Sequence, residues 1–162
     1  MTTLTTTRLC VSAIDPARLS AIRRNGHDES GQPWRPFPAE GWEPLRCCLA
    51  LAPVGASIAL ISYAPFTVAS PWKETGPVFI HADECAGYSR SDQLPEKLRT
   101  GPRVLRTYHA DGSLDYADIT VVAEGEDIQP TLLDLLGRRA VATVHVRALA
   151  AQCFTYAVTR QG

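Results

Sequence analysis

The alternation of apolar and polar positions after residue 44 predicts a protein built mainly from short β-strands. Apolar and β-branched runs recur along the chain, each bounded by turn-forming residues. They read LRCCLALA, ASIALISYA, GPVFIHA, RVLRTYHA, LDYADITVVA, AVATVHVRA and CFTYAVTR. Because neighbouring strand residues point to opposite sides of a sheet, each run offers one apolar and one mixed face. The pattern predicts six or seven strands.

Two helices are predicted from their end signals. Asp15 and Pro16 supply a cap and a favourable first position, and Gly26 supplies a stop, so a helix is expected over about 16–25. A second is expected near 129–136, between Pro130 and Gly137. With the strands, these helices predict an α+β fold: a largely antiparallel sheet with about two helices packed on one face.

The connections between the runs predict antiparallel neighbours. The Asp111-Gly112 pair is favoured in tight hairpins, and it should join antiparallel strands over about 103–109 and 114–122. The stretch at about 25–44 is rich in proline, glycine and charge. Such a composition is typical of a long loop. We expect this loop to cover part of the sheet face opposite the helices.

The length, net charge and apolar runs of the chain exclude some classes of partner. A chain of 162 residues fits one domain, 1–162, and a net charge of -1 without a long charged run excludes nucleic acid as an expected partner. The uncharged stretch from Cys47 to Trp72 is broken by Pro53 and Pro65, well short of the roughly 20 apolar residues of a membrane span. The N-terminus lacks a basic start and an apolar run. We therefore expect a cytoplasmic protein without a membrane partner.

The five cysteines are expected to be free thiols, because a reducing cytosol disfavours disulfides. Cys47 alternates with Leu45 and Leu49 and is expected to be buried beside them. Cys48, the next residue, would then point to the opposite face.

Strand alternation places an uncommon set of side chains on the face opposite the core. If the strands form one sheet, this second face carries Arg46, Cys48, His81, His145, Arg147, Cys153 and Thr155, with Arg106 and Tyr108 as additions. Arginine, imidazole and thiol groups suit an anionic ligand or a nucleophilic reaction. The alternative is an ordinary sheet face that water covers.

The second face supports the hypothesis of a small cofactorless enzyme that acts on an anionic or carbonyl-bearing small metabolite. The candidate catalytic residues are His81, Cys85 and His145, and the candidate substrate-binding residues are Arg46, Arg106, Tyr108, Arg147 and Cys153. A non-catalytic module that binds a small molecule or a protein is the alternative. The oligomeric state is not encoded in any pattern.

Metal binding is a further alternative. His81, Cys85, Cys48 and Cys153 would form a zinc site of three thiolates and one imidazole, although no CxxC motif supports it. No G-x-G-x-x-G or P-loop motif occurs either. The expectation is a protein without a cofactor and without an assigned metal.

The order of several segments resembles the bacterial family of unknown function DUF1203. The residues that carry the resemblance are PLRCCL at 44–49, ALISYAP at 59–65, ETGPVFIHADECAGY at 74–88, VLRTYHADG at 104–112, VHVRALAAQCF up to Phe154, and the final VTR. The resemblance implies a bacterial protein. It implies no reaction, because the family has no established activity.

Overall fold

A computed structural model describes residues 6–162 and contains two α-helices and two antiparallel sheets. The helices are α1 (Pro16–Asn25) and α2 (Gln129–Gly137). The strands are β1 (Leu9–Ser12), β2 (Phe37–Pro38), β3 (Ser57–Tyr63), β4 (Gly76–His81), β5 (Arg103–Tyr108), β6 (Thr120–Val122), β7 (Thr143–Ala148) and β8 (Phe154–Arg160). The α+β class is confirmed, with the strands divided between two sheets.

Both helices begin where the sequence signals place them. The Asp15 carboxylate accepts a 2.7 Å hydrogen bond from the Ala17 N–H, and Gly26 ends α1 in the left-handed conformation with φ 70°. Glycine enters that region without the steric cost of a Cβ. No helix within residues 6–162 has both the length and the apolar character needed to cross a membrane.

The larger sheet has the strand order β1-β8-β7-β5-β6. Its apolar face packs on α2, whose Leu132, Leu135 and Leu136 join Val144 and Val146 of β7 in one hydrophobic cluster. Since the helix and the strands are each apolar on one side, this packing removes both surfaces from water.

The smaller sheet has the order β2-β3-β4 and forms a second hydrophobic cluster with α1. Leu19 and Ile22 of α1 pack here with Val78 and Ile80 of β4. Phe154, at the start of β8, belongs to this cluster as well. The smaller sheet therefore contacts the larger sheet on the face opposite α2.

Residues 45–52 do not form the strand that alternation predicts. The Leu49 N–H donates to the Leu45 carbonyl and the Leu45 N–H donates to the Ala50 carbonyl, so the segment is a compact turn. Leu49 has a left-handed φ of 57°. Cys47 is buried in the cluster of Leu45 as expected, whereas Leu49 packs in the other cluster.

A β-bulge changes the face of the sheet to which residues of β8 point, so the predicted faces are wrong for part of this strand. Val146 pairs with Tyr156 and Arg147 with Phe154, which leaves Thr155 without a partner on β7. An inserted residue reverses the alternation beyond it. Tyr156 therefore faces α2 while Phe154 faces the smaller sheet, although strict alternation predicts one face for both.

The two strands joined through Asp111-Gly112 are antiparallel, as predicted, but the second strand is shorter than predicted. β5 and β6 are antiparallel, with Leu105 opposite Thr120. The second strand begins only at Thr120, because a short 3-10 helix occupies Tyr116–Asp118.

Tyr156→Phe should lower the free energy of unfolding by about 1–2 kcal/mol, as expected when a buried carbonyl loses its partner. The Tyr156 side chain is fully buried, and its hydroxyl donates a 3.0 Å hydrogen bond to the Leu98 carbonyl. Urea denaturation of both proteins measures the difference. An unchanged midpoint would show that this bond contributes nothing.

Candidate functional site

The polar face of the larger sheet follows the sequence prediction on β5 and β7. Arg106 pairs with His145 across the two strands, and Tyr108 pairs with Thr143. Directly opposed residues in an antiparallel pair project to the same side. Arg147 lies two residues beyond His145 on β7 and shares this face. Alternation therefore placed Arg106, Tyr108, His145 and Arg147 together correctly.

The segment 64–75, between β3 and β4, covers this polar face. The Phe66 ring lies 5.3 Å from the Tyr108 ring and 5.1 Å from the His145 ring. Farther along the segment, the Glu74 carboxylate contacts the guanidinium groups of Arg106 and Arg147. The polar side chains are thus enclosed between the sheet and a connecting segment.

The predicted cover, the loop at 25–44, lies elsewhere. Its Trp42 ring packs 5.6 Å from the Phe79 ring on β4, and the Trp34 indole N–H donates to the Ile22 carbonyl of α1. These aromatic residues anchor the loop to the smaller sheet and to α1. The prediction was wrong because composition identifies a loop but not the surface on which it packs.

A cleft of about 210 Å³ opens beside Glu74, between the covering segment and the end of β7. We call it the arginine cleft. Its lining residues are Tyr63, Pro65, Glu74, Thr75, Gly76, Pro77, Arg106, Arg147, Ala151, Gln152, Cys153 and Phe154. Two guanidinium groups, one carboxylate and one thiol supply its chemistry.

Arg147 is the most deeply buried charge in this cleft. Its side chain is 7% exposed, and Nη1 donates a 2.9 Å hydrogen bond to the Gln152 carbonyl. Nη2 forms an ion pair with Glu74 Oε1, whereas Nε has no hydrogen-bond partner within the described chain. Most buried polar atoms are hydrogen-bonded. Arg147 thus retains donor capacity inside the protein.

Glu74 holds both arginines with a single oxygen. Its Oε1 lies 2.9 Å from Arg106 Nη1 and also contacts Arg147 Nη2. The Glu74 side chain is nevertheless 47% exposed. The two guanidinium groups thus stabilise a negative charge at the position of Glu74 Oε1, although the Glu74 side chain is partly exposed to water.

Arg46 lies behind the cleft and does not line it. Its guanidinium is buried, with Nε donating a 2.7 Å hydrogen bond to the Phe154 carbonyl and Nη1 donating to the Pro44 carbonyl. Burial lowers the pKa of Arg46 to about 10. Across residues 6–162, no carboxylate forms an ion pair with it. Arg46 therefore adds positive charge close to the cleft.

His145 occupies an aromatic surrounding next to the cleft. Its ring lies 4.5 Å from the Tyr108 ring and 5.1 Å from the Phe154 ring. Burial, followed by the charges of Arg147 and Arg106, lowers the pKa of His145 to about 3. The imidazole is therefore neutral at physiological pH. His145 and Tyr108 line a neighbouring cleft with Phe66 and do not line the arginine cleft.

His81 lies at a different place, with two cysteines. The sulfur atoms of Cys47 and Cys48 and a ring nitrogen of His81 lie within 4.8 Å of one another. We call this group the cysteine-histidine cluster. The expectation that Cys47 and Cys48 point to opposite faces was wrong, because they lie in a turn and not in a strand.

The two neighbouring thiols differ in acidity. A hydrogen bond from Cys47 lowers the pKa of Cys48, whereas the same interaction together with burial raises the pKa of Cys47. The pair therefore ionises first at Cys48, which is half-buried and lines a surface cleft. All five cysteines are free.

The single second face inferred from alternation thus separates into two sites. Arg106, Arg147 and Cys153 meet at the arginine cleft, with Tyr108 and His145 beside them. Cys48 and His81 meet elsewhere, and Cys85 packs half-buried against the cluster of the smaller sheet. The proposed zinc ligands therefore do not converge on one point, because Cys153 lines the arginine cleft.

Two important residues were missed by the sequence analysis. Glu74 stands at the start of the ETGPV motif, but no local pattern indicates that it contacts two arginines on another sheet. Cys47 was assigned to the core alone. The signal that was available is the vicinal pair itself, since adjacent cysteines meet in a turn but separate in a strand.

The fold and the cleft define a small α+β protein with two antiparallel sheets and an arginine-lined site between a sheet and its covering segment. A family model described as protein of unknown function (DUF1203) matches residues 42–160, and the chain belongs to this family. No curated protein matches the chain. No solved structure matches it either.

Proposed function

We propose that this protein binds a small molecule through a carboxylate or phosphate group in the arginine cleft. The observation that carries the proposal is Arg147, buried beside Arg106, whose Nε–H has no hydrogen-bond partner among the described residues. Guanidinium groups bind carboxylates and phosphates through two parallel hydrogen bonds. An anionic ligand would satisfy the Nε–H donor that the protein leaves free.

The charge balance around the cleft supports the same ligand class. Arg106 and Arg147 share the Glu74 carboxylate, and Arg46 adds a third cation behind the cleft. A buried charge is costly unless it is paired. The guanidinium groups around the cleft therefore outnumber the carboxylates of the protein. The excess positive charge would stabilise a ligand anion.

Glu74 indicates where the ligand anion would bind. Its Oε1 already occupies a position shared by both guanidinium groups, while its side chain is 47% exposed. In the proposal, a ligand carboxylate or phosphate takes this position and the Glu74 side chain turns toward water. Glu74 thus acts as an internal competitor of the ligand.

Positions of the candidate catalytic residues favour binding over catalysis. His81 belongs to the cysteine-histidine cluster, and His145 is neutral and lines the neighbouring cleft. A cofactorless enzyme is the second candidate, favoured by the Cys153 thiol in the lining of the arginine cleft. Cys153→Ser separates the two: an enzyme would lose turnover and retain the ligand, whereas a binding protein has no turnover to lose.

Arg106→Gln should weaken binding of an anion by about 1.5–3 kcal/mol, the value of a hydrogen bond to a charged group. A thermal-shift titration with inorganic phosphate, malonate and succinate measures it, because a ligand of the folded state raises the apparent melting temperature. Arg106 is half-buried, so the variant should fold. Arg35→Gln, at an exposed arginine outside the cleft, is the matched control and should bind as the wild type does.

Glu74→Gln should act in the opposite direction and tighten binding, because it removes the internal competitor while preserving the side-chain size. The same titration tests it. The proposal fails if none of the anions shifts the melting temperature, if Arg106→Gln and Arg35→Gln behave alike, or if Glu74→Gln weakens binding.

A further inference from the structure

The turn that follows Leu45 presents two thiols and one imidazole to a common point. Cys47 Sγ, Cys48 Sγ and a His81 ring nitrogen lie within 4.8 Å of one another. The cysteines are brought together by the turn, in which the Leu49 N–H donates to the Leu45 carbonyl. His81 comes from the end of β4. Three donor atoms of two kinds therefore converge from two parts of the chain.

The separation of these atoms is compatible with a metal ion at their centre. Tetrahedral zinc has Zn–S distances of about 2.3 Å and Zn–N distances of about 2.0 Å, so its ligand atoms lie about 3.5–3.8 Å apart. Because the three atoms already lie within 4.8 Å of one another, the largest movement needed is about 1 Å, within the range of side-chain rotation. Thiolate and imidazole are the ligands that zinc prefers.

A hydrogen bond from the backbone further supports a metal-thiolate site. The His81 N–H donates a 3.3 Å hydrogen bond to Cys47 Sγ. In metal sites, such outer hydrogen bonds orient the ligands and stabilise their charge. The Cys47 sulfur thus has the kind of backbone support that thiolate ligands have in metal sites.

The cluster has room for a fourth ligand. Cys48 and His81 are half-buried, and Cys48 lines a surface cleft together with Arg90 and Arg99. Zinc sites with three protein ligands keep the remaining coordination position for water or substrate. Two thiolates would also neutralise the charge of the ion. The geometry permits both entry of the metal and access to its open side.

We propose that Cys47, Cys48 and His81 form a zinc-binding site with an open fourth position. This ligand set differs from the one expected from the sequence, since it includes Cys47 and contains neither Cys85 nor Cys153. It is also separate from the arginine cleft. The protein would therefore carry a thiolate-imidazole metal site in addition to its proposed anion site.

Titration of the reduced full-length protein with Zn²⁺, followed by calorimetry, tests this inference. We expect one ion per chain. Co²⁺ substituted for Zn²⁺ should give thiolate-to-metal charge-transfer absorption. Loss of an outer-shell partner of a metal site costs about 10- to 100-fold in affinity. Cys48→Ser and His81→Asn, at half-buried positions, remove direct ligands and should each weaken Zn²⁺ binding by more than that. Cys10→Ser, at a thiol on the edge strand β1, is the matched control and should leave the affinity unchanged.

The inference is overturned if the reduced protein binds no Zn²⁺, if both ligand variants bind as the wild type does, or if Cys10→Ser weakens binding equally. Failure here is distinguishable from failure of the proposed function. Cys48→Ser should bind phosphate or dicarboxylates as the wild type does, because Cys48 does not line the arginine cleft.

Discussion

Gly101→Ala should lower the free energy of unfolding by about 3 kcal/mol or more, at the upper end of the effects of overpacking. A Cβ added at Gly101 would lie 1.9 Å from the Ala123 carbonyl oxygen and 2.6 Å from the Val122 carbonyl oxygen. Backbone atoms of a paired strand cannot turn aside as a flexible side chain can. The substitution must therefore displace the chain just before β5, where Gly101 lies against the end of β6.

Gly137→Ala provides the matched control for this prediction. No atom lies within 4 Å of the position that its Cβ would take, and Gly137 stands at the C-terminal end of α2. Alanine there should be neutral or slightly stabilising, because it has the higher helix propensity. Urea denaturation compares the two variants. Equal stabilities would refute the close approach of Gly101 to β6.

Acid should destabilise the wild type more steeply than it destabilises His145→Phe. The pKa of His145 is about 3 in the fold, against about 6.5 for an exposed histidine, so the unfolded chain binds more protons between these values. Stability attributable to neutral His145 is therefore complete above about pH 6.5 and is lost as the pH falls toward 3. The slope is about 1.4 kcal/mol per pH unit.

Phenylalanine is the suitable replacement, because the His145 ring is surrounded by Phe66, Tyr108 and Phe154. Other groups that titrate in acid are common to both proteins, so the difference in pH slope isolates His145. Denaturation midpoints measured from pH 7 to 4.5 provide the test. Parallel pH profiles would show that His145 is not kept neutral by burial.

Local signals were sufficient for much of the fold. Asp15, Pro16 and Gly26 specify the limits of α1, and the Asp111-Gly112 pair specifies the β5–β6 hairpin. Alternation on β7 correctly separated Val144 and Val146 from His145 and Arg147. These features depend on residues close in sequence, whose preferences act before any tertiary contact forms.

The errors arise where two structures satisfy the same local pattern. Leu45 and Cys47 are buried both in the expected strand and in the observed turn, so their apolar character does not distinguish the two. Leu51, two positions after Leu49, would share the buried face in a strand, yet it is 38% exposed. The bulge at Thr155 leaves no local signal either, because it is defined by pairing with β7.

The arginine cleft depends on contacts between distant segments. Glu74 reaches Arg106 and Arg147 only because the segment 64–75 folds over the larger sheet. Periodicity identifies the face on which each arginine lies, but it does not identify what covers that face. The residue types of the site were therefore predictable, whereas the partner of the two arginines was not.

Nuclear magnetic resonance of the Arg147 Nε–H group tests the central claim, anion binding in the arginine cleft, most directly. This group is buried and unpaired in the described structure, so it should respond strongly when an anion accepts its hydrogen bond. In a titration with inorganic phosphate or malonate, we predict saturable shifts of the Arg147 and Arg106 Nε–H signals and of the amides at Gln152 and Cys153. Saturable shifts confined to other parts of the protein, or none at all, would contradict the account.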